Sequence, residues 1–212
     1  MDIVYDAETA GGFNQHHPDF RNLFLGWGHG YGKNFFIDQK KIDPVFCFSS
    51  DDLLIGHNLK YDLKCLKKEG HEADWFKSVY DTQVACNLIR EDLTSYKLEF
   101  LSQIFGYEFP NYKQLIDFDD PSYAEDSDLY IYNEHDLRAT KLLHTATAPI
   151  LKRQGKWRAF SMLMEFLKVL AEVEWKGIQV DEEYLNTFGC EWKAKREETL
   201  RHIEAAGFHC DP

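Results

Sequence analysis

Three short acidic segments, far apart and in a set order, limit what this chain can fold into. Asp6-Ala7-Glu8-Thr9 closes an apolar opening of Ile3, Val4 and Tyr5. Asn58-Leu59-Lys60-Tyr61-Asp62 follows Leu54-Ile55-Gly56, and Tyr132-Asn133-Glu134-His135-Asp136 lies inside a helix-like run. Residues two apart on a strand point the same way, so Asp6 and Glu8 share a face. Tyr132 and Asp136, four apart on a helix, share one as well. Asn58 and Asp62 fall at a strand-to-helix turn, where an Asx-turn with a cap is the ordinary alternative. Taken singly, each segment reads as a solvated turn or a surface acid. Their order and local contexts together favour one site of four carboxylates and a phenol.

The surrounding pattern supplies a scaffold. Met1 to Tyr5 reads as a buried strand with the first acids at its carboxyl end. Asn22 to His29, Lys33 to Asp38 and Leu53 to Gly56 are further strand candidates, with Gly26, Gly28, Gly30 and Gly32 fitting a hairpin between the second and third. From Lys60 helical periodicity takes over, with Gly70 as a stop. It resumes at Val84 and Leu88 and again from Tyr96 to Ile104. The stretch from Pro121 to Pro149 is the longest helical pattern of this part, with Ser122 or Ser127 as its cap. Beyond it, Phe160, Leu163, Met164, Leu167, Leu170 and Ala171 form an apolar stripe closed by Gly177. Ile178 to Asp181 is an extended link, and a second helix runs from Glu182 to Ala206. An antiparallel start followed by strands alternating with helices predicts an α/β fold, a mixed sheet flanked by helices. Residues 1–150 form the expected first domain and 151–212 a helical extension.

Composition narrows the classes. Hydrophobic residues at 44% and aromatics at 15% suffice for a buried core, so a folded chain is expected. No apolar stretch is long enough to span a bilayer. The acidic Asp2 and the immediate strand pattern do not look like a signal peptide, so a cytoplasmic, unsecreted protein of a bacterium or a virus-infected cell is expected. Five widely spaced cysteines without a CxxC pair predict reduced thiols rather than a disulfide framework or zinc knuckle. His16-His17, lacking partners at ligand spacing, reads as a solvated loop. The net charge is −12, of which residues 1–150 carry −11 with 14 basic and 25 acidic side chains. Such a surface does not grip duplex DNA by itself. It suits a short single-stranded end brought to bound cations that neutralise carboxylates and phosphate together.

Carboxylates so arranged suit phosphodiester hydrolysis by two divalent metal ions, Mg²⁺ or Mn²⁺, about 3.5–4 Å apart. The expected division of labour has Asp6 bridging the ions and Glu8 binding the water-bearing one. Asp136 completes the first metal's shell, Asp62 serves the second through water, and the Tyr132 hydroxyl orients the attacking water.

The three segments resemble the Exo I, Exo II and Exo III motifs of the 3′–5′ proofreading exonuclease domain in family A DNA polymerases, of the DEDDy type in an RNase H-like fold. The resemblance covers most of residues 1–150, including Tyr80-Asp81-Thr82-Gln83-Val84-Ala85 after the second motif. In the sister DEDDh group a histidine stands five residues before the last aspartate. Here that position is Ile131, and Tyr132 stands at minus four. The resemblance implies Asp6, Glu8, Asp62 and Asp136 as metal ligands and Tyr132 as the water-orienting phenol. It also implies Thr9 and Asn58 as contacts of the terminal nucleotide, and Tyr112 as the aromatic that seats the unpaired end, where a core tyrosine is an equal alternative. Gly12 departs from the larger apolar residue found in relatives. Glu165 to Asp181 resembles the opening of the polymerase module, whose palm and fingers do not follow. The chain is therefore expected to be a fragment, or the exonuclease half of a split polymerase, with a single-stranded DNA 3′ end and a polymerase domain or subunit as partners. The alternatives are an idle exonuclease fold bracing a polymerase, or an exonuclease directed at RNA.

Overall fold

The computed structural model describes residues 1–10, 14–29, 36–40, 49–70, 76–107 and 126–208. Within them lie five strands, β1 (Asp2–Ala10), β2 (Arg21–His29), β3 (Phe36–Lys40), β4 (Leu53–Gly56) and β5 (Ser78–Asp81). Six helices accompany them: α1 (Leu59–Lys68), α2 (Thr82–Ile89), α3 (Leu98–Ile104), α4 (Asp126–Arg153), α5 (Trp157–Lys176) and α6 (Glu182–Ala205). The sheet order is β3-β2-β1-β4-β5. β1 to β3 pair antiparallel, whereas β1, β4 and β5 run parallel. The carboxyl ends of β1, β4 and β5 therefore share one edge, the usual place for a site in such sheets.

β1 is the central strand, and Ile3, Val4 and Tyr5 are almost wholly buried there. Each such side chain contributes about 1.5–3 kcal/mol by leaving water, which fixes the strand that bears the first acids. β1 runs on to Ala10, so Asp6 and Glu8 lie inside the strand rather than past its end. The ladder to β2 holds them there, with Asp6 opposite Gly26 and a register shift between Glu8 and Thr9. Gly26 and Gly28 accordingly sit within β2, not in a hairpin turn. Gly30, Gly32 and residues 33–35 lie outside the described residues.

α4 has 28 residues and so spans roughly 42 Å. Leu129, Leu137, Ala139, Leu143 and Leu151 are buried along it. Leu137 and Leu151 enter the main core, and Leu143 joins a second cluster with Cys86 and Leu101. The helix passes through Pro149 and continues to Arg153. A proline there removes one hydrogen bond near the helix end, and Leu151, fully buried two residues beyond it, anchors the last turn to the core. Ser127 is the second residue of α4 and not its cap, and Ser122 lies outside the described residues.

α5 belongs with the sheet. Phe160, Met164, Leu167 and Ala171 pack into the same core as β1, β4 and β5. Ion pairs also join α5 to α1: Lys60 and Lys64 meet Glu174 at 2.5 and 3.0 Å, and Lys67 meets Glu172 at 2.5 Å. The compact unit thus runs from Met1 to Trp175, and Lys176–Pro212 forms a separate one. Gly177, at φ 68°, adopts the left-handed turn that ends α5. α6 starts at an Asp181 cap whose side chain accepts the Tyr184 N–H at 2.9 Å. Among the described residues no helix is long and apolar enough to cross a membrane.

Candidate active site

Three of the predicted acids converge. Asp6 and Glu8 from β1 and Asp136 from α4 each present a carboxylate oxygen, and the three oxygens lie within 4.8 Å of one another. All three residues are half-buried. Asp62, from the first turn of α1, is buried against the same strand, and its carboxylate accepts the backbone N–H of Ala7. It stands outside the three-oxygen cluster but feels the charge of Asp6. The strand, the turn and the helix of the sequence pattern therefore meet at the carboxyl edge of β1.

The electrostatics of this corner are unbalanced. Burial pushes Asp6 from 3.8 up to about 6, although hydrogen bonds from Glu8 and Asn133 pull it back. Burial, followed by the charges of Asp6 and Asp136, lifts Glu8 well above the usual carboxylate range. Asp62 rises well above its ordinary value through burial and then the charges of Asp6 and Asp81. Like charges held together away from water favour protonation. A divalent cation reverses that preference, so a set of oxygen donors with raised affinity for protons fits a hard divalent cation.

The remaining predicted residues are placed as follows. Tyr132 is half-buried on α4, one turn before Asp136. Thr9 Oγ1 and the Tyr61 hydroxyl lie 2.6 Å apart, tying β1 to α1. Asn58 is exposed and is the only described non-glycine residue with positive φ, at 60°. Tyr112 and Gly12 lie outside the described residues. His16 sits in a turn, its ring against Trp175 at 4.4 Å and its Nε2 2.7 Å from the Trp175 carbonyl oxygen. Cys65 and Cys86 are buried free thiols.

Two residues without an assigned part prove central to the geometry. Asp81 accepts backbone N–H groups from Asn58 at 3.2 Å, Leu59 at 2.9 Å, Gln83 at 2.8 Å and Val84 at 3.3 Å. One carboxylate thereby caps both α1 and α2 and holds Asn58 in its left-handed conformation. Asn133 is completely buried, and its Nδ2 donates to Asp6 Oδ2 at 2.8 Å. Asn133 is three residues from Asp136, a helical spacing that puts both on one face. That spacing was a signal available in the sequence. Asp81 ahead of Gln83 and Val84 also reads as an N-cap, but its hold on α1 does not.

The fold is RNase H-like. No family model matches the sequence, and no curated protein does. Solved structures do. Brucella melitensis NrnC superposes with a TM-score of 0.64 at 19% identity, covering 83% of this chain and 85% of that one. Its Mg²⁺-bound form gives 0.59 at 18% identity over 85% and 89% of the two chains. The POL domain of Pol1 from M. smegmatis, in complex with DNA primer-template and dNTP, gives 0.61 at 17% identity. That similarity covers 99% of this chain and 34% of the longer one. At such identities the likeness is one of fold.

Proposed function

We propose that the protein is a metal-dependent 3′–5′ exonuclease that removes nucleoside 5′-monophosphates from single-stranded or frayed DNA ends and proofreads for a DNA polymerase. The observation that carries this reading is the meeting of Asp6, Glu8 and Asp136 within 4.8 Å at the edge of the sheet. Similarity in fold to a structure with bound Mg²⁺ and to a polymerase chain supports it.

Asp6, Glu8, Asp62 and Asp136 would hold two divalent cations. When bound, such ions supply an activated water and stabilise the leaving 3′ oxygen. Both Glu8 and Asp62 feel the charge of Asp6, so its carboxylate would be the one shared between the two ions. The Tyr132 hydroxyl, on the helix face that carries Asp136, orients the attacking water by accepting or donating a hydrogen bond. Asn58 and Thr9 contact the terminal nucleotide, Asn58 with an exposed side chain on a backbone whose N–H Asp81 accepts. Aromatic stacking by Tyr112 seats the unpaired base without regard to sequence. Residues 1–150 carry the full catalytic set, and the segment from the end of α5, residues 176–212, forms the extension toward a polymerase domain or subunit.

A 5′-labelled oligonucleotide incubated with Mg²⁺ or Mn²⁺ should yield a descending ladder with release of 5′-mononucleotides, and Asp6→Ala should abolish it. Equal degradation by the variant would refute the site. A matched RNA strand distinguishes the substrates, and cleavage of neither strand would leave the bracing role as the reading.

A further inference from the structure

Two residues at the site break the local rules of their elements, and they break them against each other. Gly26 lies in the middle of β2, where glycine weakens a strand, and its φ is not in the left-handed region that only glycine tolerates well. Its use must be space. A Cβ built on Gly26 would fall 1.6 Å from Asn133 Oδ1 and 2.7 Å from Asn133 Cγ. Asn133 is a modest helix former with a side chain wholly removed from solvent. Burying an amide is costly unless it is hydrogen-bonded. Its Nδ2 lies 2.8 Å from Asp6 Oδ2, 3.4 Å from the Asp6 carbonyl oxygen and 3.4 Å from Glu8 Oε1. Ionised carboxylates only accept, so the NH₂ end faces the acids and the carbonyl end faces Gly26. Local violations that resolve into one contact are the mark of a functional constraint.

We propose that Asn133, seated in the gap left by Gly26, is the positioning residue of the metal centre: its amide holds the Asp6 and Glu8 carboxylates together and latches α4 to β1 so that Asp136 reaches them. This rests on the reading of the acidic cluster as a metal centre. The latch explains why the strand residue directly opposite Asp6 is a glycine. It also explains why the position between Tyr132 and Asp136 that faces the sheet carries an amide where a leucine would bury more apolar area. Asn133 touches neither substrate nor reacting atoms in this role. It sets the spacing of groups that do.

The test has a geometric arm and a metal arm. In a double-mutant cycle of Gly26→Ala and Asn133→Ala, followed by thermal unfolding in EDTA, the glycine change should cost stability alone and cost clearly less when the amide is already gone. Additive costs would overturn the close contact. In Mn²⁺ titrations followed by electron paramagnetic resonance, Asn133→Leu and Gly26→Ala should each weaken binding about 10–100-fold, as loss of outer-sphere partners does. Asn133→Asp, similar in shape, adds a carboxylate where a donor stood. It should lower the melting temperature in EDTA below that of Asn133→Leu and show a larger Mn²⁺-induced rise than the wild type. Equal melting temperatures for the two variants, with wild-type Mn²⁺ affinity, would reduce Asn133 to packing and overturn the inference alone. A wild-type protein that binds no Mn²⁺ overturns the metal centre and the inference together.

Discussion

Two sets of carboxylates, one buried and one half-buried, lie at the same edge of the sheet, and the protein treats them in opposite ways. Asp81 is almost wholly buried, and four backbone N–H groups from two helix starts converge on it. Burial raises its pKa, and those four donors oppose the rise. On β1 and α4, Asp6, Glu8 and Asp136 face one another, with the Asn133 amide as a shared donor for the first two. The difference separates a carboxylate used to build from carboxylates kept short of positive charge. A structural acid is satisfied by the fold itself. A metal-binding acid is left for the cation to satisfy, and the fold bears the repulsion in the meantime.

Removing each kind of acid should therefore have opposite consequences for stability. Asp81→Ala leaves two helix N-termini without their acceptor and should destabilise the protein by about 2–4 kcal/mol, with or without Mg²⁺. Urea unfolding measures this, and a loss that Mg²⁺ fully repairs would erase the distinction. Tyr132→Phe removes a hydroxyl but no ligand, so turnover should fall about 10–100-fold, roughly 1.4–2.7 kcal/mol, while Mn²⁺ affinity stays close to the wild type. A loss of affinity as large as that of Asp6→Ala would move Tyr132 from orienting water to holding metal.

The pH dependence sharpens the same contrast. Asp6 titrates near 6 in the folded protein and near 3.8 unfolded, and Glu8 and Asp62 are raised too. The folded state then binds more protons than the unfolded one above pH 4, so metal-free stability falls as pH rises through about 6. Bound Mg²⁺ favours the ionised acids, so its stabilising effect should grow over the same interval. Melting temperatures with EDTA and with Mg²⁺ at pH 5 and pH 8 check this. A smaller gap at pH 8 than at pH 5 would contradict it. Asp6→Asn should give the smallest change, stabilising the metal-free protein at pH 8 by up to about 1 kcal/mol through relief of repulsion.

How much of this was legible in the sequence follows from how local each signal is. Asp6 and Glu8, two apart after Ile3, Val4 and Tyr5, announce their shared face because strand alternation is a local property. Leu53 to Gly56 and the start of α1 are marked by their own residues in the same way. β5 carries only Ser78 to Asp81, and its pairing with β4 is long-range, so nothing within four residues distinguishes it from a loop. Gly26 looked like a turn residue because a glycine's need for space is visible only once Asn133, more than a hundred residues later, is packed over it. α5 reads as the start of an extension after Pro149, yet its buried stripe completes the core that backs β4 and β5. Tertiary partners decided these points, and local pattern does not contain them.

The central claim is that the acids on β1 and α4 form one metal centre. Its most direct test is a Mn²⁺ titration of the wild type and of Asp6→Ala at pH 8, read by electron paramagnetic resonance. Binding to the wild type should be saturable and should disappear in the variant while its circular dichroism is unchanged. Identical binding curves for the two proteins would contradict it.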